Sequence, residues 1–280
     1  MQLNQFRDIR YEKDDDGIVT LTFNTPERKN ALSLLTFYEI YTAVDHFEKD
    51  DSALAMILTG ARDPNSDDPA REAYSSGGYF SPDAFEGVPD EIISQIDTSD
   101  IAQKRTTLKV FQCYKPIIAA VNGLAIGGAF TLTLAAADQI FMSEHAWIQL
   151  PFAKLGLSAE LASSFLLPRL LGFQKAKEII FYAERIGAEQ ALQLQLVNKV
   201  LPHDQLLDYT REKALQLIPP KGAGLAIGEM KKLLHEPHVA AVSHALDMEN
   251  QALQLLFGSS DFAEAMTARV ERRPPVFTGH

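Results

Sequence analysis

The chain has 280 residues, long enough for one large domain or a domain with a smaller appendage. Its balance of 46% hydrophobic and 22% charged residues sets aside a disordered chain, and no apolar run is long enough to span a bilayer. A formal net charge of −11 argues against a nucleic-acid binder, which needs clustered Lys and Arg. A small anionic ligand stays open, because a local basic spot or aligned backbone N–H groups suffice for it.

Ile18 to Phe23 alternates with period two and predicts a strand. Apolar residues then recur at helical spacing from Ser33, a candidate N-cap, to Phe47. Leu54 to Leu58 is a short apolar strand closed by Gly60, which completes a strand–helix–strand unit. Residues 61–73 read as a polar surface loop. The small-residue knot Tyr74-Ser-Ser-Gly-Gly78 follows, with Tyr79 and Phe80, and residues 82–100 are acidic, proline-punctuated and expected to be mobile. Ile101 to Tyr114 predicts a helix, and Pro116 to Val121 a fully buried strand. Asn122-Gly-Leu-Ala-Ile-Gly-Gly128 leads into a helix over Ala129 to Ala137, and Gln139 to Ser143 and Trp147 to Leu150 are short strands. From about residue 158 the pattern is helical with no strong strand left. The chain thus divides into an α/β core over 1–200 and a helical C-terminal region over 201–280.

Four features bear on chemistry. The serines and glycines of residues 74–78 let backbone approach a ligand closely, or simply make a turn. The Asn122–Gly128 segment is a strand-to-helix turn whose free N–H groups and helix dipole favour a negative charge, or a site of tight helix–sheet packing. It is neither a dinucleotide fingerprint nor a P-loop. Glu160 falls in the first turn of a helix capped by Ser158, a place where acids also occur for dipole reasons alone. Pro26-Glu-Arg-Lys-Asn-Ala-Leu-Ser33 sets Arg28 and Lys29 on a turn, where a basic pair meets a phosphate or solvent. The seven histidines show no zinc spacing, so no metal is expected. The single cysteine, Cys113, reads as a buried small hydrophobe and excludes an internal disulfide.

Together and in this order, the features resemble the crotonase superfamily, the enoyl-CoA hydratases and isomerases. The resemblance rests on Phe23-Asn-Thr-Pro-Glu-Arg-Lys-Asn-Ala-Leu-Ser33, Ile57-Leu-Thr-Gly60 with Tyr74-Ser-Ser-Gly-Gly78, and above all Lys115-Pro-Ile-Ile-Ala-Ala-Val-Asn-Gly-Leu-Ala-Ile-Gly-Gly128. It runs on through Pro151 to Gly156, Leu167-Pro-Arg-Leu-Leu-Gly172 and Glu271 to Gly279. It implies a spiral of strand–strand–helix turns, a helical C-terminal region that builds trimers or dimers of trimers, and a coenzyme A thioester as ligand. No separate cofactor is implied. The oxyanion-hole donors would be the N–H groups of Ser76 and Gly128. Ligand contacts would come from Arg28, Lys29, Ala31, Ser76, Gly77, Gly78, Tyr79, Gly128, Phe152 and Leu155.

Hydratases of this family carry two glutamates, at positions where this chain has Thr131 and Phe152. Hydration is therefore disfavoured. Glu160 matches the single glutamate of the Δ3,Δ2-enoyl-CoA isomerases, in Leu155-Gly-Leu-Ser-Ala-Glu-Leu-Ala-Ser-Ser164. The resemblance then implies proton transfer from C2 to C4 of a 3-enoyl thioester. Ala159 and Leu161 replace the usual Pro and Gly, and Leu161 is expected to narrow the acyl pocket or tilt the helix. Alternatives are another crotonase-type reaction, such as thioester hydrolysis or a ring or carbon–carbon bond change, and an acyl-CoA-binding protein without turnover. The ends of the chain carry neither a secretory nor a Ser-Lys-Leu signal, so the expected compartment is cytoplasmic.

Overall fold

The computed structural model describes residues 1–79 and 81–280, so Phe80 of the glycine-knot motif lies outside the described residues. The elements run β1 (Ile9–Lys13), β2 (Ile18–Phe23), α1 (Leu34–Lys49), β3 (Ala55–Gly60), β4 (Ala73–Ser75), α2 (Asp90–Ile93), α3 (Lys104–Phe111) and β5 (Ile117–Val121). Next come β6 (Leu124–Ile126), α4 (Gly128–Ala136), β7 (Gln139–Ser143), β8 (Trp147–Gln149), α5 (Ser163–Leu171), α6 (Phe173–Tyr182), β9 (Ile186–Gly187), α7 (Ala188–Gln193) and β10 (Lys199–Leu201). The chain closes with α8 (Leu206–Leu217), α9 (Gly224–His235), α10 (Val239–Phe257) and α11 (Ser260–Glu271).

The strands form two sheets, ordered β1-β2-β3-β5-β7-β10 and β4-β6-β8-β9. Strands β2, β3, β5, β7 and β10 are mutually parallel, with β1 antiparallel at the edge. The chain alternates between the sheets: β3 and β4 lead to α3, β5 and β6 to α4, β7 and β8 to α5. Each turn is therefore strand, strand, helix, and successive turns stack as a spiral.

The period-two reading of the strands becomes two hydrophobic layers. Val19, Leu21, Phe23, Met56, Leu58, Ile117, Ala119, Val121, Ile140 and Met142 face the larger core beneath α1 and α4. Their neighbours Ile18, Ala55, Ile57, Ile118, Ala120 and Phe141 face the opposite way, onto Leu206 and Ala214 of α8. A parallel sheet covered on both faces needs such continuous apolar runs. Helix α8 thus packs on the core sheet, although it follows the last strand.

Helix α1 begins where the sequence places it, with the Ser33 side chain accepting from Thr36 N–H at 3.1 Å. The expected helix over 101–114 contracts to α3, because Gln103 takes left-handed φ 53 and starts the helix there. Five strands escape the sequence reading, the first of them β1 in the charged N-terminal stretch. β4 and β6 are three residues each, and β9 and β10 lie beyond residue 158, where only helix was expected. Segments this short give no readable periodicity. The acidic 82–100 stretch carries the short helix α2, and its Val88 and Ile92 pack on Leu35 and Tyr38. Among the described residues, no helix is long and apolar enough to cross a membrane.

Candidate active site

The smaller sheet positions the site. β4 pairs parallel with β6 (Ala73↔Leu124, Ser75↔Ala125), and β6 pairs parallel with β8 (Ala125↔Ile148, Ile126↔Gln149). Three chain segments therefore leave this sheet side by side, at the carboxyl ends of adjacent strands. They are Ser76–Tyr79 after β4, Gly127–Gly128 after β6, and Leu150–Glu160 after β8. The first two loops touch through their backbones. Gly77 has φ +84, and a Cβ there would lie 2.5 Å from the Ile126 carbonyl oxygen. Gly127 has φ +52 and donates its N–H to Gln149 O at 2.8 Å. Gly77 thus meets a positive φ and a close approach together, and Gly127 a backbone of φ 52 and ψ −124 that side chains rarely adopt.

Asn30 stitches the preceding turn to this arrangement. It also adopts a left-handed φ of 53, and its side chain donates to Ala61 O at 2.8 Å and Ala73 O at 2.7 Å. Its carbonyl accepts from Thr25 N–H at 3.0 Å. Asn122 plays the same part at the base of the second loop, accepting from Gly60 N–H and donating to Gly60 O, both at 3.1 Å, and donating to Glu72 at 2.8 Å. Buried amides bonded on both sides fix the loops without leaving a polar atom unpaired.

The predicted donor Ser76 needs correction. Its N–H already donates to Lys29 O at 2.9 Å, and its hydroxyl donates to Arg28 O at 3.2 Å. Two residues on, the parallel bridge Leu32↔Gly78 is carried by Leu32 N–H to Gly77 O and by Tyr79 N–H to Leu32 O, both at 2.8 Å. That pattern leaves the Gly78 N–H without an acceptor among the described residues. Gly78 lines a cavity of about 350 Å³ together with Gly128 and Glu160. The rest of its wall is mostly apolar, including Leu32, Phe37, Phe85, Ile101 and Phe257. Neither Ser76 nor Gly77 is on that wall.

Glu160 is the one carboxylate of the cavity wall among the described residues. It does not lie in a first helical turn, as Ser158 had suggested. Leu161 and Ala162 adopt left-handed φ of 55 and 62, and α5 starts only at Ser163. Glu160 therefore precedes the helix, and its Oε1 is 3.0 Å from where a Cβ on Gly128 would be. Burial pushes its carboxyl up to about 7, the buried Glu249 carboxylate adds to the rise, and the Gly128 N–H holds it down.

Leu161 was expected to narrow the acyl pocket or tilt the helix. It is instead 1% exposed in the core beneath Gly128, with Cδ1 3.1 Å from the Cβ position of that glycine. Its backbone, at left-handed φ 55, is one that glycine adopts without steric cost. The two residues at the hydratase glutamate positions carry no acid. Thr131 is fully buried and its hydroxyl donates to Gly127 O at 3.3 Å. Phe152 is 3% exposed, with its ring edge 3.9 Å from the Cβ position of Gly127.

The other predicted ligand contacts divide. Tyr79 lines the cavity, whereas Ala31 is buried and Leu155 half-buried, both off its wall. Arg28 is not a free basic group: it pairs with the buried Asp8 at 2.8 Å and lies 4.6 Å above the Tyr79 ring. Lys29 is exposed at left-handed φ 55, and no partner holds it among the described residues. His235 Nδ1–H donates to Phe111 O (2.8 Å), and the ring stacks on that of Phe111 at 4.5 Å. Cys113 is buried, and burial pushes its thiol up to about 11.

Sequence reasoning missed Glu249 and Phe257. Glu249 did leave a signal: it occupies the stripe Val242, Leu246, Glu249, Leu253, the buried face of α10. An acid at a core position of an amphipathic helix calls for a partner.

Stacked strand–strand–helix turns, with two glycine loops converging over one carboxylate, define the crotonase-like class of α/β proteins. Comparison with known proteins agrees. The model of the enoyl-CoA hydratase/isomerase family matches residues 13–280. The chain belongs to this family. A probable enoyl-CoA hydratase of Rhodobacter capsulatus is 30% identical over 274 residues, 98% of this chain and 99% of the relative. Carnitinyl-CoA dehydratase of Escherichia coli K12 is 31% identical over 268 residues, 94% of this chain and 95% of the relative. Among solved structures, an enoyl-CoA hydratase/isomerase from Pseudoalteromonas atlantica superposes with a TM-score of 0.81 at 26% identity, covering 97% of this chain and all of that one. An enoyl-CoA hydratase from Mycobacterium avium subsp. paratuberculosis gives 0.79 at 27% identity, over 97% of this chain and 99% of that one.

Proposed function

We propose that this protein converts 3-enoyl-CoA thioesters to 2-enoyl-CoA thioesters, with Glu160 as the single proton shuttle. The observation that carries the reading is a lone carboxylate, poised near neutrality, beside Gly128 on the wall of a mostly apolar cavity. The thioester oxygen would take the Gly128 and Gly78 N–H groups. Two preorganised main-chain donors stabilise the enolate formed when a C2 proton leaves. Glu160 takes that proton and returns it to C4, as the double bond moves from C3–C4 to C2–C3. No water enters and no other group is consumed.

The relatives are named hydratase or dehydratase, and that chemistry adds or removes water. It needs one group to activate water and one to deliver a proton. Thr131 and Phe152 supply neither. An apolar wall also suits a reaction from which water must be kept, and burial brings the Glu160 carboxyl into the range where it exchanges protons at pH 7. Exposed Lys29 supports a contact to the phosphates of the coenzyme. Large apolar side chains left exposed on α6 and α9, among them Phe173, Phe181, Leu225 and Leu233, support assembly into trimers.

The test is product analysis of the purified protein on 3-enoyl-CoA and 2-enoyl-CoA, resolving the conjugated enoyl, 3-hydroxyacyl and free-thiol products. Conjugated product is expected, with kcat/KM rising with pH through about 7 as Glu160 ionises. Glu160→Gln should lower turnover by roughly two to four orders of magnitude. Predominant 3-hydroxyacyl-CoA would establish hydration instead, and free thiol a hydrolase. Ligand-induced thermal protection with no product on any acyl-CoA would point to a binding protein.

A further inference from the structure

The turn that presents Glu160 is not held by its own sequence. Helix α5 has Ala162 at its N-cap, a residue with no side-chain acceptor. Its opening N–H groups are satisfied from another part of the chain. Ala162 N–H donates to Glu249 Oε2 at 2.8 Å and Ser164 N–H to Glu249 Oε1 at 3.0 Å. Glu249 belongs to α10, more than eighty residues later, and is 4% exposed. Between these two anchors, Ser163 closes back on Glu160 itself: its N–H reaches Glu160 O at 3.0 Å and its hydroxyl donates to the same oxygen at 2.6 Å. Leu161 and Ala162 are left-handed residues with side chains. Such backbone costs of order 1–3 kcal/mol per residue and persists only where its surroundings over-determine it.

We propose that Glu249 is a positioning residue for proton transfer, clamping the strained 161–164 turn so that Glu160 is held beside Gly128 on the cavity wall. The inference rests on the reading of Glu160 as proton shuttle. It ties the helical C-terminal region, through α10, to the carboxylate that does the chemistry.

The clamp also acts electrostatically. Glu249 is the one charge that adds to the rise at Glu160, second to burial itself. Its own carboxyl is pushed up by burial and held down by the Ser164 and Ala162 bonds. Charged groups on the packed elements are engaged elsewhere or face solvent. Arg169 of α5 donates to Phe165 O, Lys104 of α3 pairs with Asp247 of α10, Arg105 lies over Tyr41, and His244 is exposed. No cation offsets the two carboxylates among the described residues.

The test uses the full chain with Glu249→Gln, Glu249→Asp and Ser163→Ala. Three quantities are read: thermal stability, the pH profile of kcat/KM on 3-enoyl-CoA, and the ionisation of the Glu160 carboxyl by infrared difference against the matching Glu160→Gln protein. Glu249→Gln should lower kcat roughly tenfold or more with KM little changed, since an angstrom of misplacement can cost 10²-fold. The Glu160 titration and the acid limb should move together to lower pH, toward an ordinary glutamate. Glu249→Asp, which keeps the charge, should restore part of that titration. Ser163→Ala, which loosens the other half of the clamp, should lower kcat without moving the titration.

A loss of stability with unchanged kcat and unchanged titration in Glu249→Gln would overturn the proposal. If that variant does not fold, full kcat in Ser163→Ala overturns it. The underlying functional reading fails separately, when Glu160→Gln alone keeps its isomerase activity.

Discussion

Glu160→Gln should make the protein more stable at alkaline pH, although it removes the proposed proton shuttle. The folded carboxyl titrates at about 7 against an ordinary 4.5, because burial and the Glu249 carboxylate disfavour its charge. Between those two values the folded state holds a proton that the unfolded chain has released. Stability is therefore complete below about pH 4.5, falls as pH rises toward 7, and stays lower above it. At about 1.4 kcal/mol for each tenfold change in proton affinity, the charged form costs about 3 kcal/mol. The carboxyl borders an open cavity whose water screens part of that charge, so this is an upper bound. Glutamine has the same shape, keeps an acceptor for the Gly128 N–H and never ionises. Urea unfolding of the two proteins should thus give nearly equal free energies near pH 4. The variant should lead by up to about 3 kcal/mol at pH 8.5, equivalent to roughly 6 °C in a chain of this size. Glu39 is also pushed up to about 7 by burial, but it is present in both proteins and cancels in the difference. A gap of the same size at both pH values would refute the argument, because only a titrating charge makes the gap depend on pH.

Two further outcomes follow from the main-chain geometry and the entry turn. Replacing the peptide bond N–H of residue 78 by an ester oxygen should lower kcat about 10² to 10³-fold, the worth of one oxyanion donor. The same replacement at residue 76 should chiefly lower stability by about 1 kcal/mol, since that N–H is spent on Lys29 O. Semisynthesis with steady-state kinetics and thermal denaturation checks both, and the reverse ranking would return the donor to Ser76. Lys29→Ala should raise KM for the coenzyme A ester severalfold and weaken its salt dependence, with kcat unchanged. A lowered kcat at constant KM would place Lys29 in the chemistry.

The sequence made the large sheet and its helices legible because their residues state a period. The apolar runs of β2, β3 and β5, and the Ser33 cap of α1, are local signals. The two glycine loops were also legible, since Gly77 and Gly127 mark backbone that side chains rarely adopt. What could not be read was the use made of each N–H. Ser76 and Gly78 look alike as small residues, and only the distant Lys29 carbonyl separates them. The start of α5 misled for a related reason. Ser158 is a good local cap, but the helix is capped by Glu249, which sequence places far away. Likewise Arg28 read as an exposed cation, while the fold spends it on Asp8 and Tyr79. Local patterning thus identified the pieces, and long-range hydrogen bonds decided which atoms were left free for a ligand.

That division bears on whether two substitutions could turn the site into a hydratase. Thr131→Glu with Phe152→Glu would restore acids at both family positions. Yet Phe152 and Glu160 both approach within 3.9 Å of the same point over Gly127, and Thr131 is fully buried one turn along α4. The change would therefore crowd three carboxylates, with Glu249 behind them, into a pocket without a cation among the described residues. Each added charge disfavours the next, so the new acids would rest mostly protonated and push the Glu160 titration further up. An uncompensated buried acid also costs several kcal/mol. The double variant should thus unfold earlier, isomerise less at pH 7, and gain little hydration. Adding Glu160→Gln to the pair removes one of the competing charges and should recover stability at neutral pH. Measured stability in the triple variant no higher than in the double would show that the carboxylates do not compete, and that the site is wetter than its apolar wall implies.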